Sequence, residues 1–236
     1  MSETPTLAEE FASGKVLLID KPLHWTSFDA VNRIKAMLKH RLGLKKIKVG
    51  HAGTLDPLAT GLLIICTGKM TRSIDTFQSL EKEYTGTFFL GATTPSSDLE
   101  TQPDRQFPTD HITGGMTSEV TRQFTGKIQQ VPPLFSAKKI EGKRAYSHAR
   151  EGSDMVLKAN EVEISEFTIT RFELPDVDFR VVCSKGTYIR ALARDFGEAL
   201  QSGAYLKALR RTRIGQFSVD QAMSMEQISE KIKEPL

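Results

Sequence analysis

Lys48-Val-Gly-His-Ala-Gly-Thr-Leu-Asp-Pro-Leu-Ala-Thr-Gly61 is the stretch on which the reading of this 236-residue chain turns. It sets one carboxylate, Asp56, in a bend punctuated by glycine and proline, close to a histidine, His51. Gly50, Gly53 and Gly61 can take backbone angles closed to other residues, while Pro57 fixes its own φ and biases Asp56 toward extended geometry. Asp-Pro alone is an ordinary surface-turn signal. Here an apolar run, Leu62-Leu-Ile-Ile-Cys66, follows at once and reads as a buried strand. A charged group set against a core segment needs a partner.

Outward from this bend the chain alternates strand and helix signals. Residues 15–20 predict a short buried strand after a polar, acidic flexible arm over 1–14. Thr26 with Asp29 is a capping-box start, and Phe28, Val31, Ile34 and Leu38 recur at helical spacing, which turns Arg33, Lys35 and Lys39 to solvent. A helix is expected over 71–80 and a strand over 82–91 with Tyr84, Gly86 and Phe88 on one face. The Pro- and Gly-rich stretch 93–116 predicts a polar loop, and helices follow over 117–124 and near 146–150, with Val131-Pro-Pro-Leu134 extended between them. Strands are expected over 161–172 and 178–183. A helix from Thr187 has Ile189, Leu192, Ala193, Phe196 and Leu200 as its core stripe, which places Arg190 in the first turn, where the helix dipole calls for an anion; Asp56 is the candidate. Helix is expected to continue over 206–212, strand over 214–219, and Ser224 with Gln227 caps a last helix. The mixture predicts an α+β fold with a mixed, mostly antiparallel sheet flanked by helices.

A chain of this length, 39% hydrophobic and 26% charged, can bury a sizeable core. The net charge of +3 does not identify a polyanionic partner, but its distribution is informative. From Arg33 to Val49 there are seven Lys and Arg residues and no acid; further basic clusters are Lys207, Arg210, Arg211, Arg213 and Lys138, Lys139, Lys143, Arg144, Arg150. Each can be a solvated face, and together they point to a phosphate-tracking surface. Gly68-Lys-Met lacks both the earlier glycine and the following Ser or Thr of a nucleotide-binding P-loop, which removes nucleotide hydrolysis. Cys66 and Cys183 have no CxxC or CxxH partner, so neither a disulfide nor a metal site is expected. Without a signal peptide or an apolar run of spanning length, a cytoplasmic protein with no membrane partner is expected.

Gly50-His-Ala-Gly-Thr-Leu-Asp-Pro-Leu-Ala-Thr-Gly61 resembles the signature of the TruB family of tRNA pseudouridine synthases. Further matches fall in the family's order: Leu18-Ile-Asp-Lys-Pro-Leu-His-Trp-Thr-Ser27, Lys82-Glu-Tyr84, Pro132-Pro-Leu-Phe-Ser-Ala-Lys138, Cys183-Ser-Lys-Gly-Thr-Tyr-Ile-Arg190 and Leu209-Arg-Arg-Thr-Arg-Ile-Gly215. They span about 200 residues, which makes chance similarity implausible. The resemblance implies the pseudouridine synthase fold and an isomerase that converts the T-loop uridine 55 of tRNA without cofactor or metal. It implies catalytic roles for Asp56, Tyr84 and Arg190, RNA contact by His51, pocket positions at Tyr188 and Leu209, and support of the Asp56 loop by Lys21. Phe135 departs from the family's usual tyrosine, and Met70 and Arg72 from its usual Ala and Lys. One catalytic domain over 1–236, without the C-terminal PUA domain of many members, and a monomer are expected.

Duller readings stand beside these. Tyr84 and Tyr188 fit ordinary half-buried aromatics, His51 a loop histidine bonded to backbone, and Arg190 a partner of Asp195 or Glu198 on its own helix. For the whole chain the rivals are a guide-RNA-dependent relative, a non-catalytic RNA-binding module and a nucleoside hydrolase; a hydrolase needs a second, water-activating group.

Overall fold

The computed structural model describes residues 5–133, 158–232 and, as a short strand pair, 139–140 with 143–144. The helix expected near 146–150 and the side chains of the basic cluster Lys138 to Arg150 lie outside the described residues. The chain forms two compact units, one of residues 1–84 with 210–236 and one of residues 85–209.

In the first unit, helix α1 (Leu7–Ser13) starts from a capping box between Thr6 and Glu9 and buries Phe11 to 1% exposure. The flexible arm expected over 1–14 is thus helical from Leu7. Its acids are first-turn residues that suit the helix dipole, and a single aromatic anchors it, too little periodicity to read from sequence. Strand β1 (Val16–Lys21) follows, and α2 (Ser27–Arg41) begins at the expected Thr26–Asp29 capping box. Val31, Ile34 and Leu38 are buried as expected, but Phe28 is 64% exposed. At about 100° per residue Phe28 lies roughly 120° round the helix from Ile34, and Ser27 faces the interior in its place.

Strand β2 (Val49–Ala52) and strand β3 (Ala59–Thr67) form an antiparallel pair, so the first part of the glycine-rich stretch is itself a strand and the bend is confined to 53–58. β1 also pairs antiparallel with β3. Leu63 and Ile65 of β3 join the α1–α2 core, whereas Leu62, Ile64 and Cys66 join a second cluster with Ile214, which explains the continuous apolar run. A 3₁₀ turn over Gly68–Ser73 leads into α3 (Ile74–Ser79), which together cover the expected helix, and β4 (Lys82–Leu90) begins as predicted.

In the second unit the stretch expected as loop contains a pair of two-residue strands, β5 (Ala92–Thr93) and β6 (Arg105–Gln106). Helix α4 (Gly114–Gln123) starts before the expected Thr117 because the Thr113 hydroxyl accepts from Met116 N–H and caps it. Strands β7 (Gly126–Gln130), β8 (Lys139–Ile140), β9 (Lys143–Arg144), β10 (Asn160–Glu173) and β11 (Asp176–Cys183) follow, then α5 (Ile189–Ala199) with its expected core stripe buried. Phe88, Phe167, Phe179 and Phe196 pack together here, Phe88 and Phe179 stacked at 4.1 Å between centroids.

The largest departure is β12 (Ala204–Ile214), a strand where helix was expected over 206–212. Leu-Lys-Ala-Leu-Arg-Arg is a run of strong helix formers, but hydrogen bonding between strands overrides propensity. β12 ends at a Gly215-Gln216 turn and β13 (Phe217–Ser218) folds back on it, so the strand expected over 214–219 is a hairpin. The chain closes with α6 (Met225–Lys231), capped by Ser224 and Gln227 as expected. The strand order in the first unit is β1-β3-β12-β4 with β2 also on β3, and in the second β12-β4-β11-β10-β7, since β4 and β12 each run through both units. The fold is α+β with a mixed sheet: β1 with β3, β10 with β11 and β10 with β7 are antiparallel, and isolated parallel bridges join Ile19 to Met223 and Asp98 to Leu206. Cys66 and Cys183 are buried and are not joined in a disulfide. No helix among the described residues is long and apolar enough to cross a membrane.

Replacing Phe11 by Ala should lower the unfolding free energy by about 3–5 kcal/mol, the cost of emptying a fully buried aromatic site. Urea unfolding measures it; an unchanged midpoint would mean that α1 contributes nothing to the fold.

Candidate active site

Asp56 lies in the bend between β2 and β3, half-buried. The backbone on either side is pinned. The Ser27 hydroxyl, buried at the start of α2, donates to Leu55 O at 3.2 Å and accepts from Leu55 N–H at 2.8 Å. His24 N–H donates to Pro57 O at 2.8 Å, and Ala59 N–H to Asp56 O at 3.0 Å. Arg211, 1% exposed, donates from Nε to Leu62 O at 2.7 Å and from Nη2 to Gly53 O at 3.0 Å, so one guanidinium ties the start of the bend to β3 beyond it. Gly53 and Gly61 adopt φ of 86° and 99°, angles that favour glycine. At Gly61 a Cβ would lie 2.3 Å from Arg211 O, so only glycine admits β12 this closely. Gly50, by contrast, lies in β2 without a positive φ, and a Cβ there would meet only the end of the Ile74 side chain, 2.8 Å from its Cδ1.

Lys21 and His51 complete the electrostatics of the bend. The Lys21 ammonium is fully buried and donates to Pro22 O at 3.0 Å and Trp25 O at 2.5 Å. Burial, with repulsion from Arg211, lowers its pKa to about 8 against the attraction of Asp56 and Asp29. It is therefore still charged at neutral pH and favours the ionised form of Asp56. His51 has its pKa lowered by burial and by Arg211, which favours the neutral ring, and its buried Nδ1 has no hydrogen-bond partner among the described residues. That does not match the expectation of a histidine bonded to backbone. Tyr84 is buried in β4 at 8% exposure.

The second unit carries Tyr188, Arg190 and Leu209. Gln130, 1% exposed, clamps the backbone of Tyr188: its Oε1 accepts from Tyr188 N–H at 2.8 Å and its Nε2 donates to Tyr188 O at 3.2 Å. Arg190 sits in the first turn of α5, and Asp98 meets the demand for a local anion, with Oδ2 3.5 Å from Arg190 Nε and both side chains 6% exposed. Asp195, one same-helix partner considered for Arg190, pairs with Arg194 at 2.7 Å. Leu209 is half-buried in β12. Sequence reasoning missed Ser27, Arg211, Asp98 and Gln130 as supports. Ser27 and Arg211 stand inside the family motifs, whereas nothing local marks Asp98 or Gln130. Among the described residues no group of three His, Cys, Asp or Glu side chains could hold a metal ion.

The basic cluster of β12 does not form the free surface that its sequence suggests. Lys207 pairs with Asp176, Arg210 bidentately with Asp20 and Arg213 with Glu81, while Arg211 is interior.

The family model described as the N-terminal domain of TruB family pseudouridylate synthase matches residues 39–189. The chain belongs to the TruB family. The model of the tRNA pseudouridylate synthase B C-terminal domain matches residues 190–234. A TruB relative from Flavobacterium johnsoniae, named tRNA pseudouridine synthase B, is 56% identical over 226 residues, covering 95% of this chain and 99% of its own. The protein of that name from Thermobifida fusca is 45% identical, covering 91% of this chain and 74% of its own. Among solved structures, a Cbf5-Nop10-Gar1 complex matches at 28% identity and TM-score 0.71 over 93% of this chain and 54% of that chain, so the fold is that of pseudouridine synthases.

Lys21 gives this TruB bend a pH signature. Below about pH 8 the ammonium is charged in folded and unfolded chains alike, and its burial opposes folding. Between about 8 and the ordinary 10.5 the folded chain loses the proton and the unfolded chain keeps it, so stability rises with pH across that window. The unfolding free energy of the wild type relative to Lys21→Met should therefore grow by about 2–3 kcal/mol from about pH 7.5 to 10.5 in urea titrations. A difference independent of pH would show that the pKa is not displaced.

Proposed function

We propose that this TruB family protein isomerises the T-loop uridine at position 55 of tRNA to pseudouridine, with Asp56 as its catalytic carboxylate. The observation that carries the reading is the bend itself: an acid fixed by Ser27 and Arg211 with a buried ammonium in its field. The names of the curated relatives support tRNA as the substrate.

The reaction breaks the N–C glycosidic bond, turns the detached uracil and rejoins it through carbon, with no net redox change. A carboxylate can begin it by attacking a carbon of the nucleotide or by taking a proton from the sugar. Both routes need Asp56 ionised and held in direction, which fixed donors achieve without reorganisation. Lys21 acts as a positioning residue, keeping the acid charged and tying the chain at Pro22 and Trp25. The uridine leaves its stack to react, at a cost of a few kcal/mol. Tyr84, proposed as the stacking ring, would return about 1–3 kcal/mol. Arg190 joins Asp56 and Tyr84 as the third catalytic residue by its place in the Cys183–Arg190 motif, and His51, Tyr188 and Leu209 are proposed to contact RNA. The protein is read as a cytoplasmic monomer, and its buried thiols, joined in no disulfide, suit a reducing compartment.

Unmodified tRNA transcript incubated with the protein should acquire pseudouridine at position 55, mapped by chemical probing. Asp56→Asn should reduce the rate by at least about 10³-fold while RNA still binds. Modification outside the T loop would overturn the substrate, and an active Asp56→Asn would overturn the role of the acid.

A further inference from the structure

Among its described residues the first unit leaves only two large apolar side chains exposed, Leu23 at 47% and Phe28 at 64%, and both belong to one short segment. That segment is fastened beside the acid. His24 N–H donates to Pro57 O, one residue after Asp56, and the Ser27 hydroxyl bonds both backbone groups of Leu55, one residue before it. Leu23 and Phe28 flank these two contacts, each with its Cα about 3.8 Å from that of a fastened residue. Single apolar side chains are ordinary on a protein surface, whereas these two bracket the anchor points of the acid's bend.

The backbone accounts for their exposure. Phe28 is the second residue of α2, and helical side chains lean toward the N-terminus of their own helix. A ring at that position has no preceding helical turn to cover, so it extends toward the 23–26 segment. His24 has a φ of 65°, a left-handed conformation that is unfavourable for a residue with a Cβ. The turn that presents Leu23 is thus held at a cost in stability. Lys21 secures it, donating to Pro22 O and Trp25 O on either side. Pro57 is exposed as well, so the segment and the bend meet at the protein surface.

We propose, on the reading of RNA as substrate, that Phe28, with Leu23 beside it, is a stacking platform for an unpaired nucleobase next to the uridine that enters at Asp56. The occupant follows from position, because a strand whose reacting nucleotide lies at Asp56 continues past the segment bonded to both sides of that residue. A uridine drawn out of its stack leaves a neighbouring base with an uncovered face. A phenyl ring covers that face without reading the base's edge, so the platform accepts any base while keeping the strand in register with the acid. Neither side chain carries a charge with which to hold a phosphate.

The test compares the wild type with Phe28→Ser, Phe28→Leu, Phe28→Trp and Leu23→Ser, and with Met116→Ser on α4 as a control for the loss of an exposed apolar side chain. Each is titrated with unmodified tRNA and with tRNA carrying an abasic residue on either side of the target uridine, from about 50 to 300 mM salt, and thermal melting checks folding. Phe28→Ser should bind unmodified tRNA roughly tenfold or more weakly with an unchanged log–log salt slope, because stacking releases no counterions. One abasic tRNA should bind the wild type more weakly by a similar factor, and Phe28→Ser should bind that tRNA no worse than the intact one. Phe28→Trp should restore binding, Phe28→Leu, apolar but without a ring face, should not, and Leu23→Ser should lose less than Phe28→Ser. Equal binding by wild type and Phe28→Ser, a loss independent of both abasic residues, a loss matched by Met116→Ser, or full binding by Phe28→Leu would each overturn the platform. The synthase reading would then stand as long as the wild type still forms pseudouridine at position 55. A wild type that binds tRNA but forms none would overturn the synthase reading instead. Self-association of the wild type at micromolar concentration, abolished in Phe28→Ser, would overturn the platform in favour of an interface between copies of the chain.

Discussion

The grip of the Arg211 guanidinium on two backbone carbonyls is the contact on which the architecture around Asp56 depends. Burying a cation is unfavourable unless its donors are satisfied, and here Gly53 O at the start of the bend and Leu62 O in β3 after it receive them. The bend therefore cannot open without exposing an unsatisfied charge inside the protein. Ser27 supplies a third constraint at the residue immediately before the acid. Gly61 lets the Arg211 backbone approach closely enough for the grip to form. A carboxylate set on a flexible turn would have to be ordered whenever a ligand bound, whereas this one is held in place by groups that folding has already fixed.

Charge is unevenly matched along the chain. Arg210, Arg213 and Lys207 meet carboxylates, and Arg211 and Lys21 are interior and bonded to carbonyls; these cations hold strands and the bend in place. The lysines before β2 and the basic residues of the following 3₁₀ turn carry no such partner among the described residues. The same residue types are thus matched to acids on β12 and without a facing acid among the described residues in segments 45–48 and 68–72. What separates them is the presence of facing acids, not their spacing along the chain.

Elements with strong periodicity or explicit caps are legible in the sequence: α2, α5 and α6 begin where their capping or apolar patterns place them, and β1, β3, β4 and β11 follow their apolar runs. The sequence misleads where a distant partner outweighs local preference. Residues 206–212 have helix-forming side chains but lie in β12, between strands far away in sequence. Phe28 mimics part of a core stripe because spacings of three drift round a helix, and Ser27 occupies the inward position it would have filled. α1 has one buried aromatic and a cap, too short a pattern to separate from a polar tail.

Of the candidate site, the chain's own order of residues determined the acid, the bend and the family, because glycine, proline and aspartate at those spacings constrain the backbone locally. Tertiary structure alone decided what supports them. That Arg211 is interior rather than a surface cation, that Asp98 answers Arg190, and that Gln130 clamps Tyr188 all depend on contacts between segments distant in sequence. A buried charge is recognised only by what surrounds it, and no local pattern encodes those surroundings.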